Sequence, residues 1–345
     1  MATKVGINGF GRIGRLTLRA ILDKYCKDME VVAINDLFDP QTNAHLFKYD
    51  SNYGPWCEDV RAEADAIIVG GRKIKVYAEK DPGKIPWQNH GIEIVIEGTG
   101  VFTDAVGDPA KGKPGANAHL HDTVKKVIIT APAKNEDVTI VMGVNDEAYD
   151  AKAHKIISNA SCTTNCLAPV CKVIQDTVGI EQGFMTTVHA YTNDQRVADQ
   201  AHKDLRRARA AAVNIIPTTT GAAKAISLVI PELKGKMHGI SLRVPVPTVS
   251  LVDLTINTSK ATNAEDVNAA MKKAAAGKMK GILGYTEDPV VSCDFRGTHY
   301  SGVFDALSTM MLGDKFLKVL AWYDNEWAYS ERVGDLIDFM VKKGL

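Results

Sequence analysis

The stretch Lys4–Leu22, KVGINGFGRIGRLTLRAIL, decides the fold of the first half of the chain. Three glycines, Gly9, Gly11 and Gly14, follow a short apolar segment and open a run with apolar residues at helical spacing. The next apolar segment, EVVAIND, ends in Asp36, 22 positions after Gly14. Strand, glycine turn, helix, strand and acid thus follow one another in the order of a dinucleotide-binding unit.

The residues of this unit have predicted roles. The glycines allow the backbone to approach a pyrophosphate, which rests on the N-terminus of the helix. Asp36 is placed to bind the adenosine ribose hydroxyls, and its charge repels a 2′-phosphate. The alternative is a flexible glycine turn without a ligand. The predicted cofactor contacts in this unit are Gly9, Gly11, Arg12, Ile13, Gly14 and Asp36.

The pattern of apolar segments changes midway along the chain. In the first half, IIVGGRKIKVYAEKDP predicts a hairpin, and IEIVIEGTGVFTD, KKVIITAPAK, TIVMGVND and HKIIS predict strands between polar segments. In the second half, strands and helices no longer alternate regularly, and GISLRVPVPTVSLVDLTINTS is a long β-type stretch broken by Pro245 and Pro247. We therefore expect an α/β fold, with a Rossmann-type doubly wound nucleotide-binding domain and an α+β domain with a largely antiparallel sheet.

Composition excludes several classes of protein. Of 345 residues, 45% are hydrophobic and 24% charged, with a formal net charge of zero. The chain has no excess of positive charge that would indicate a nucleic-acid or anionic membrane partner. The opening MATKVGINGF lacks a basic and then apolar leader, and no apolar run approaches about 20 residues. We therefore expect a cytoplasmic protein with reduced thiols and no membrane partner.

Three of the six cysteines lie in SNASCTTNCLAPVC, residues 158–171. A disulfide framework is not expected in a reducing compartment, and the spacing lacks the second Cys or His pair of a zinc site. The sequence predicts a strand, HKIIS, and a helix, NCLAPVCKVIQDTV, that ends at Gly179, with Cys162 at the junction between them. A thiol at a helix N-terminus is favoured as the thiolate, so Cys162 is the predicted nucleophile. Cys166 and Cys171 are predicted core residues.

A cysteine nucleophile requires a base, and His189 is the predicted one. It ends GFMTTVHAYTN, which predicts a strand that follows the helix of Cys162. Within hydrogen-bond reach, a neutral imidazole takes the thiol proton. Most of the nine histidines lie in loops or amphipathic segments, including His119 and His121 of a polar HLHD segment that we expect to be solvated.

A basic cluster, HKDLRRARAAAVNIIPTTTGAAKA, leaves three interpretations open. A solvated helix face is the ordinary one. A nucleic-acid patch is less favoured because aromatic residues are not interleaved. Arginines beside threonine hydroxyls and a glycine backbone are also the components of a phosphate pocket, to which Arg243 would add a second guanidinium.

Specific motifs are spread along the whole chain: NGFGRIGR, KYDS, GVFT, VIITAPAK, SNASCTTNCLAP, VHAYTNDQ, LRRARAAAVNIIPTTTGAAKA, LRVPVPTVSLVDL and WYDNEWAYSERV. In these motifs the chain resembles, from end to end, the phosphorylating glyceraldehyde-3-phosphate dehydrogenases. The resemblance implies oxidation of D-glyceraldehyde 3-phosphate to 1,3-bisphosphoglycerate with NAD and inorganic phosphate, in glycolysis or gluconeogenesis. Cys162 matches the family's nucleophile and His189 its base, and the intermediates are a hemithioacetal and a thioester.

The resemblance also assigns binding residues and domains. It implies that Thr192 and Arg243 bind the C3 phosphate of the substrate and that Asn325 holds the nicotinamide carboxamide. The implied inorganic phosphate site comprises Ser161, Thr163, Arg209, Thr220 and Gly221. It implies an NAD-binding domain of residues 1–160 and 326–345, to which the last helix returns, and a catalytic domain of residues 161–325. A homotetramer is implied, with the segment 195–209 bordering a neighbouring subunit's cofactor site, and no metal and no obligatory nucleic acid.

Two features depart from the family pattern. The loop 104–119 is longer than usual, with no assigned role. Gln200 and Ala201 replace the Leu-Pro of NAD-specific members and resemble members that accept NADP. Asp36 argues the other way, so we expect NAD preference with some use of NADP. Two other functions are alternatives: oxidation of a related aldehyde such as erythrose 4-phosphate, and a non-catalytic nucleotide- or RNA-binding role.

Overall fold

The computed structural model describes residues 2–345, which divide into two units. Unit 1 comprises the start of the chain to Ile140, Glu147–Ala160 and Ser330–Leu345. Unit 2 comprises Val141–Asp146 and Ser161–Tyr329.

Unit 1 is built around a nine-stranded sheet. Its elements are β1 (Thr3–Asn8), α1 (Arg12–Ala20), β2 (Met29–Asn35), α2 (Pro40–Lys48), β3 (Val60–Glu63), β4 (Ala66–Val69), β5 (Arg72–Tyr77), β6 (Ile94–Glu97), β7 (Gly107–Asp108), β8 (Lys113–Pro114), β9 (Lys126–Ile129), β10 (Val138–Thr139) and β11 (Ile156–Ser158). The sheet order is β10-β11-β9-β6-β1-β2-β5-β4-β3. The strands from β10 to β5 are parallel, and β5, β4 and β3 form antiparallel hairpins at one edge.

Local sequence explains the first βαβ unit. The chain leaves β1 at Gly9, whose φ is +92°. A Cβ there would lie 2.6 Å from the backbone nitrogen of Thr99, and a Cβ on Gly14 would lie 2.2 Å from the carbonyl oxygen of Gly9. Only glycine fits both positions. The predicted helix to about Lys24 is α1 followed by a π-helical turn, Ile21–Tyr25.

Two segments of unit 1 differ from the sequence predictions. Of TIVMGVND only the first residue, Thr139, lies in a strand, because β10 ends there. The Asn145 side chain accepts the Val141 N–H (2.8 Å) and Gly143 takes a φ of +78°, which turns the chain. The loop 104–119 is exposed from Pro109 to Pro114, but it is not irregular. Its β7 and β8 form a two-stranded antiparallel sheet.

Unit 2 contains the second sheet. Its elements are α3 (Cys162–Thr177), β12 (Ile180–Ala190), β13 (Ile216–Thr219), α4 (Ala222–Val229), β14 (Met237–Val244), β15 (Ser250–Thr258), α5 (Ala264–Ala276), β16 (Leu283–Thr286), β17 (Gly302–Leu312) and β18 (Phe316–Tyr323); α6 (Trp327–Lys343) then begins in unit 2 and runs on into unit 1. The sheet order is β13-β14-β12-β15-β18-β17-β16. Four of its six strand pairings are antiparallel, and β12–β14 and β16–β17 are parallel.

Local signals placed several boundaries of unit 2 correctly. Asn263 caps α5 through its side chain, which accepts the Asp266 N–H at 2.8 Å. The proline-containing segment separates β14 from β15, as predicted. The expected fold class, a Rossmann-type α/β domain with an α+β domain built on a largely antiparallel sheet, is confirmed.

Candidate active site

Cys162 is the first residue of α3. Ser161 precedes it as the N-cap, and its Oγ accepts the Thr164 N–H at 3.0 Å. The Cys162 residue keeps intermediate exposure, whereas Cys166 and Cys171 further along α3 are completely buried. The helix start therefore presents one thiol and buries the other two, as the sequence predicts.

His189 meets this thiol from β12. Its Nε2 lies 3.6 Å from the Sγ of Cys162, a hydrogen-bond distance for sulfur. The imidazole is buried, with 5% of its residue surface exposed. Residues 27 positions apart are thus brought together, in the pairing that the sequence predicts.

Burial acts on both groups of the pair. Desolvation raises the pKa of the Cys162 thiol above its ordinary value, and the positive charge of Arg243 only partly opposes this. Burial, with Arg243 as the second cause, lowers the pKa of His189 to about 3. Backbone N–H groups at the helix start do lower the pKa of Cys162, as expected, but desolvation outweighs them. The thiolate needs an adjacent group to take its proton, and His189 is in place to do so.

The second nitrogen of His189 has two competing neighbours. Its Nδ1 lies 2.7 Å from the carbonyl oxygen of Ala190 and 2.6 Å from Nη1 of Arg243. The parallel register of β12 and β14, which pairs His189 with Arg243, brings the guanidinium here. A carbonyl only accepts and a guanidinium only donates, so Nδ1 satisfies one of them at a time. The buried Nε of Arg243 has no hydrogen-bond partner within the described residues, which leaves a donor for an anion.

Tyr323 is a buried residue of the site that the sequence reasoning missed. Its hydroxyl lies 2.8 Å from Oγ1 of Thr163 and 2.7 Å from Oγ1 of Thr187. Burial raises the pKa of Tyr323 well above its ordinary value. Thr163, which the resemblance assigns to the phosphate site, therefore has its hydroxyl bonded within the protein. Its motif WYDN gave no sign of this contact.

The basic cluster separates into two kinds of arginine. Arg209 binds Asp199 at 3.0 Å, and both side chains are 61% exposed. Arg207 instead donates to Oγ1 of Thr218 (2.9 Å) and pairs with Asp194 (2.5 Å). The sequence reasoning singled out Arg209, but Arg207 is the arginine that lies against the threonine segment.

The remaining predicted phosphate residues lie on loops and at the start of α4. Thr192 donates its hydroxyl to Asp194, and its N–H reaches Gln195 at 3.1 Å. Thr220 accepts the Ala222 N–H at 3.2 Å, and Gly221 is the N-cap of α4. Asp194 thus connects Thr192 to Arg207, a link that sequence spacing alone does not reveal.

The predicted nucleotide residues of unit 1 surround the glycine turn. Asp36 follows β2, and its carboxylate accepts the backbone N–H groups of Phe10 (2.8 Å) and Phe38 (3.1 Å). A Cβ on Gly11 would meet no atom within 4 Å, so the backbone there is open to a ligand. Arg12 pairs with Asp50 at 2.5 Å, and Ile13 is half-buried beside it. An open glycine backbone at a helix N-terminus, with a carboxylate at the next strand end, fits a dinucleotide.

Asn325 lies in unit 2 and is buried. Its Oδ1 accepts the hydroxyl of Ser250 at 2.9 Å, and the Ser250 oxygen accepts the Ala190 N–H at 3.0 Å. The carboxamide is therefore oriented by β15, next to the residue that follows His189.

Other features of the described part of the chain bear on the earlier alternatives. All six cysteines are free, and residues 2–345 contain no group of three or more His, Cys, Asp or Glu that could hold a metal. Over the same range, no helix combines the length and apolar character needed to cross a membrane. His119, which we expected to be solvated, is completely buried.

Comparison with known proteins identifies the family. Residues 3–105 match the model of the glyceraldehyde 3-phosphate dehydrogenase NAD binding domain, and residues 161–325 match that of its C-terminal domain. The chain is 56% identical to glyceraldehyde-3-phosphate dehydrogenase of Geobacillus stearothermophilus over 345 residues, the full length of both. It is also 56% identical to glyceraldehyde-3-phosphate dehydrogenase 1 of Bacillus cereus over 343 residues, 99% of this chain and 100% of the relative. With both halves matched and its full length aligned, the chain belongs to the glyceraldehyde 3-phosphate dehydrogenase family.

Proposed function

We propose that this protein catalyses the phosphorylating oxidation of D-glyceraldehyde 3-phosphate. The aldehyde, NAD⁺ and inorganic phosphate yield 1,3-bisphosphoglycerate, NADH and a proton. The observation that carries the proposal is the Cys162–His189 pair, 3.6 Å apart, in a chain of this family. The relatives are named for glyceraldehyde 3-phosphate, so erythrose 4-phosphate and a non-catalytic role are not favoured.

Cys162 and His189 are the proposed catalytic residues. His189 takes the thiol proton as the sulfur adds to the aldehyde carbon, which gives a hemithioacetal on Cys162. The backbone N–H of Cys162, at the start of α3, is free of an intrahelical partner and can donate to the developing oxyanion. His189 returns the thiol proton to the oxyanion, which becomes the hemithioacetal hydroxyl. It takes the proton back as the thioester forms. The proposed cofactor, NAD, supplies the hydride acceptor when bound.

Phosphate groups are proposed to bind beside this pair. The unpartnered Nε of Arg243 supports a site for the C3 phosphate, for which Thr192 remains the second proposed ligand. Ser161, Thr163, Arg209, Thr220 and Gly221 remain the proposed inorganic phosphate ligands. The contacts of Arg207 with Thr218 and Asp194 support adding this arginine to the set. Inorganic phosphate held there attacks the thioester carbonyl and releases Cys162 as the thiolate.

NAD binding is proposed for residues 1–160 with 326–345, and the catalytic chemistry for residues 161–325. Gly9, Gly11, Arg12, Ile13 and Gly14 are the proposed pyrophosphate contacts. Asp36 is proposed to bind the ribose, and Asn325 the nicotinamide carboxamide. The open backbone at Gly11 and the buried, oriented amide of Asn325 support these roles.

A homotetramer in the cytoplasm is the proposed state of the protein, as in the family. Exposed apolar residues on the sheet of unit 2, including Phe184 (71% exposed) and Leu312 (74%), support self-association.

The direct experiment follows NADH formation spectrophotometrically. We expect turnover of glyceraldehyde 3-phosphate that depends on inorganic phosphate, and a lower kcat/KM for erythrose 4-phosphate. NADH formation that is independent of phosphate would contradict the phosphorylating reaction, and a higher kcat/KM for erythrose 4-phosphate would contradict the substrate.

A further inference from the structure

A buried polar network in unit 1 has no place in the chemistry described so far. It lies at the carboxyl ends of β6, β1 and β2, which are neighbours in the sheet. Glu97, Asn8 and Asn35 are the last residues of these strands, and each is at most 4% exposed. His119 and Trp87, both completely buried, complete it.

One chain of hydrogen bonds starts from a backbone donor. The Glu79 N–H donates to Oδ1 of Asn35 (2.8 Å), which leaves the amide nitrogen of Asn35 to donate to Oδ1 of Asn8 (2.8 Å). The amide nitrogen of Asn8 then donates to Oε2 of Glu97 at 2.6 Å. Because the first donor is a backbone N–H, the direction of every bond in this chain is fixed.

A second chain reaches Glu97 from the opposite direction. The indole N–H of Trp87 lies 3.2 Å from Nδ1 of His119 and can only donate. His119 therefore accepts at Nδ1 and carries its proton on Nε2, which lies 3.1 Å from Oε2 of Glu97. Glu97 accepts from both chains, as a carboxylate does.

The other oxygen of Glu97 holds an exposed turn. Oε1 accepts the N–H of Thr99 at 2.8 Å and also the Thr99 hydroxyl. The same hydroxyl oxygen accepts the Val101 N–H at 3.0 Å, and Gly98 N–H donates to the Asn8 carbonyl at 2.7 Å. Gly98 and Thr99 thus tie the turn 98–101 to the buried network, and the Thr99 hydroxyl in turn holds Val101.

This turn is in direct contact with the glycine turn. The position of a Cβ on Gly9 is 2.6 Å from the Thr99 nitrogen and 2.8 Å from its Cα. A displacement of Thr99 therefore moves the backbone at Gly9, on which the pyrophosphate contacts depend. We infer that Glu97 and His119 are positioning residues for NAD, which hold the turn 98–101 against the glycine turn; this rests on the proposed function.

The long loop 104–119 ends in His119 and therefore contributes to this network. Backbone bonds from Ala116 to Asp104 (3.0 Å) and from Asn117 to Ala105 (2.9 Å) close the base of its hairpin. A short 3₁₀ turn, Ala116–His119, follows and delivers His119 to Glu97. The hairpin of β7 and β8 is exposed, whereas the end of the same loop, at His119, is buried against Glu97.

The test compares NAD dissociation constants by titration calorimetry, in the absence of substrate. Glu97→Gln replaces one carboxylate oxygen by an amide nitrogen, a donor that faces the donors of its neighbours. His119→Leu removes the imidazole N–H that donates to Oε2 of Glu97. We expect each to weaken NAD binding by about tenfold, as the loss of a buried hydrogen-bond partner implies. His119→Gln keeps one donor and one acceptor, so its binding should stay within about threefold of wild type.

Two controls separate positioning from general damage. Thr123→Val removes a hydroxyl that donates to the Ile92 carbonyl at 2.7 Å. Both residues precede the parallel strands β9 and β6, so this contact lies at their amino ends, away from Glu97. We expect this variant to bind NAD as the wild type does. Alkylation of Cys162 by iodoacetamide without NAD should also be unchanged in every variant, because Cys162 lies in unit 2.

Several results would overturn the inference. One is NAD binding within twofold of wild type in both Glu97→Gln and His119→Leu, and another is an equal loss in Thr123→Val. If Glu97→Gln does not fold, His119→Leu and His119→Gln decide alone, and equal binding by these two contradicts the inference. A wild-type protein that fails to bind NAD would instead contradict the proposed function itself.

Discussion

At the scale of single residues, burial distinguishes the three cysteines of α3. Cys166 and Cys171 are fully buried, and burial raises the pKa of Cys171 to about 12, so neither thiol is available as a nucleophile. The Sγ of Cys166 also lies against Gly302, where a Cβ would be only 2.9 Å away. Cys162 alone combines exposure with a base within reach.

Cys162→Ser should therefore abolish turnover and leave NAD binding within a few-fold of wild type. A serine hydroxyl is a much weaker nucleophile with the same small volume. Cys166→Ser is the matched control on the same helix, and we expect it to lower stability by about 1–3 kcal/mol while most activity remains, because it buries a hydroxyl. Steady-state assays and NAD titrations check both, and substantial NADH formation by Cys162→Ser would refute the assignment.

His189→Asn should slow alkylation of Cys162 near neutral pH. Burial disfavours a lone thiolate, so removal of the adjacent base leaves the thiol protonated over a wider pH range. The measurement is the rate constant for iodoacetamide as a function of pH. Superimposable profiles for wild type and variant would show that His189 does not act on Cys162.

His189 should also make stability depend on pH. Its pKa falls from an ordinary value near 6.5 to about 3 in the folded state, so the unfolded chain binds the extra proton between these values. Stability is therefore complete above about pH 6.5 and decreases as the pH falls towards 3, by up to ~1.4 kcal/mol per pH unit. Between pH 7 and 5, His189→Asn should lose about 2 kcal/mol less than wild type in urea unfolding. The exposed His238 provides the control, since the stability of His238→Asn should change with pH as that of the wild type does. A loss of stability in His189→Asn equal to that of the wild type would contradict the prediction.

The residues of the site differ in how far sequence predicts them. Cys162 was predictable because a helix start is a local feature, and His189 because a polar residue ends a strand. Arg207 was not, because its contacts with Thr218 and Asp194 depend on how a loop folds. Tyr323 reaches Thr163 across 160 residues, a distance in sequence over which spacing carries no information.

At the scale of elements, predictions succeeded where the periodicity of the sequence and its breakers agree. Gly70 and Gly71 mark the β4–β5 hairpin, and both have positive φ. In TIVMGVND the apolar run predicts a strand, but the Asn145 side chain competes for the backbone and the strand ends after Thr139. The two hydrogen-bond chains that meet at Glu97 could not be predicted from the sequence, because only the strand order shows which strand ends are neighbours.

The end of β2 is the element that we expect to set cofactor choice. Asp36 follows it, with its carboxylate oriented by two backbone N–H groups, so a 2′-phosphate there would meet a fixed negative charge. We predict NAD preference with measurable use of NADP, since Gln200 and Ala201 offer no bulky apolar barrier. Asp36→Gly should shift the ratio of kcat/KM values towards NADP by roughly 5- to 150-fold, the equivalent of ~1–3 kcal/mol. Equal or better use of NADP by the wild type would show that Asp36 does not set the preference.

At the scale of the whole molecule, the sheet of unit 2 has two unlike faces. Register places Phe184, Thr255, Lys318 and Met310 in one row across β12, β15, β18 and β17. Phe184 is 71% exposed and Met310 51%. The adjoining row contains Leu312 and Phe316, both also exposed. Residues of the opposite face, such as Met185 and Leu254, are fully buried beneath the helices of the unit.

Exposed apolar side chains grouped on one face of a sheet, as Phe184, Met310, Leu312 and Phe316 are, are typical of a surface that another chain covers. We predict that the wild type sediments as a tetramer and that Phe184→Asp, which places a charge among these exposed apolar side chains, shifts the equilibrium to smaller species. Val291→Asp is the matched control: Val291 is exposed (57%), but it lies outside the strands. Analytical ultracentrifugation across a range of concentrations, with circular dichroism to verify folding, checks the prediction. A monomeric wild type would refute the tetramer, and a folded Phe184→Asp variant that stays tetrameric would show that this face is not where the chains meet.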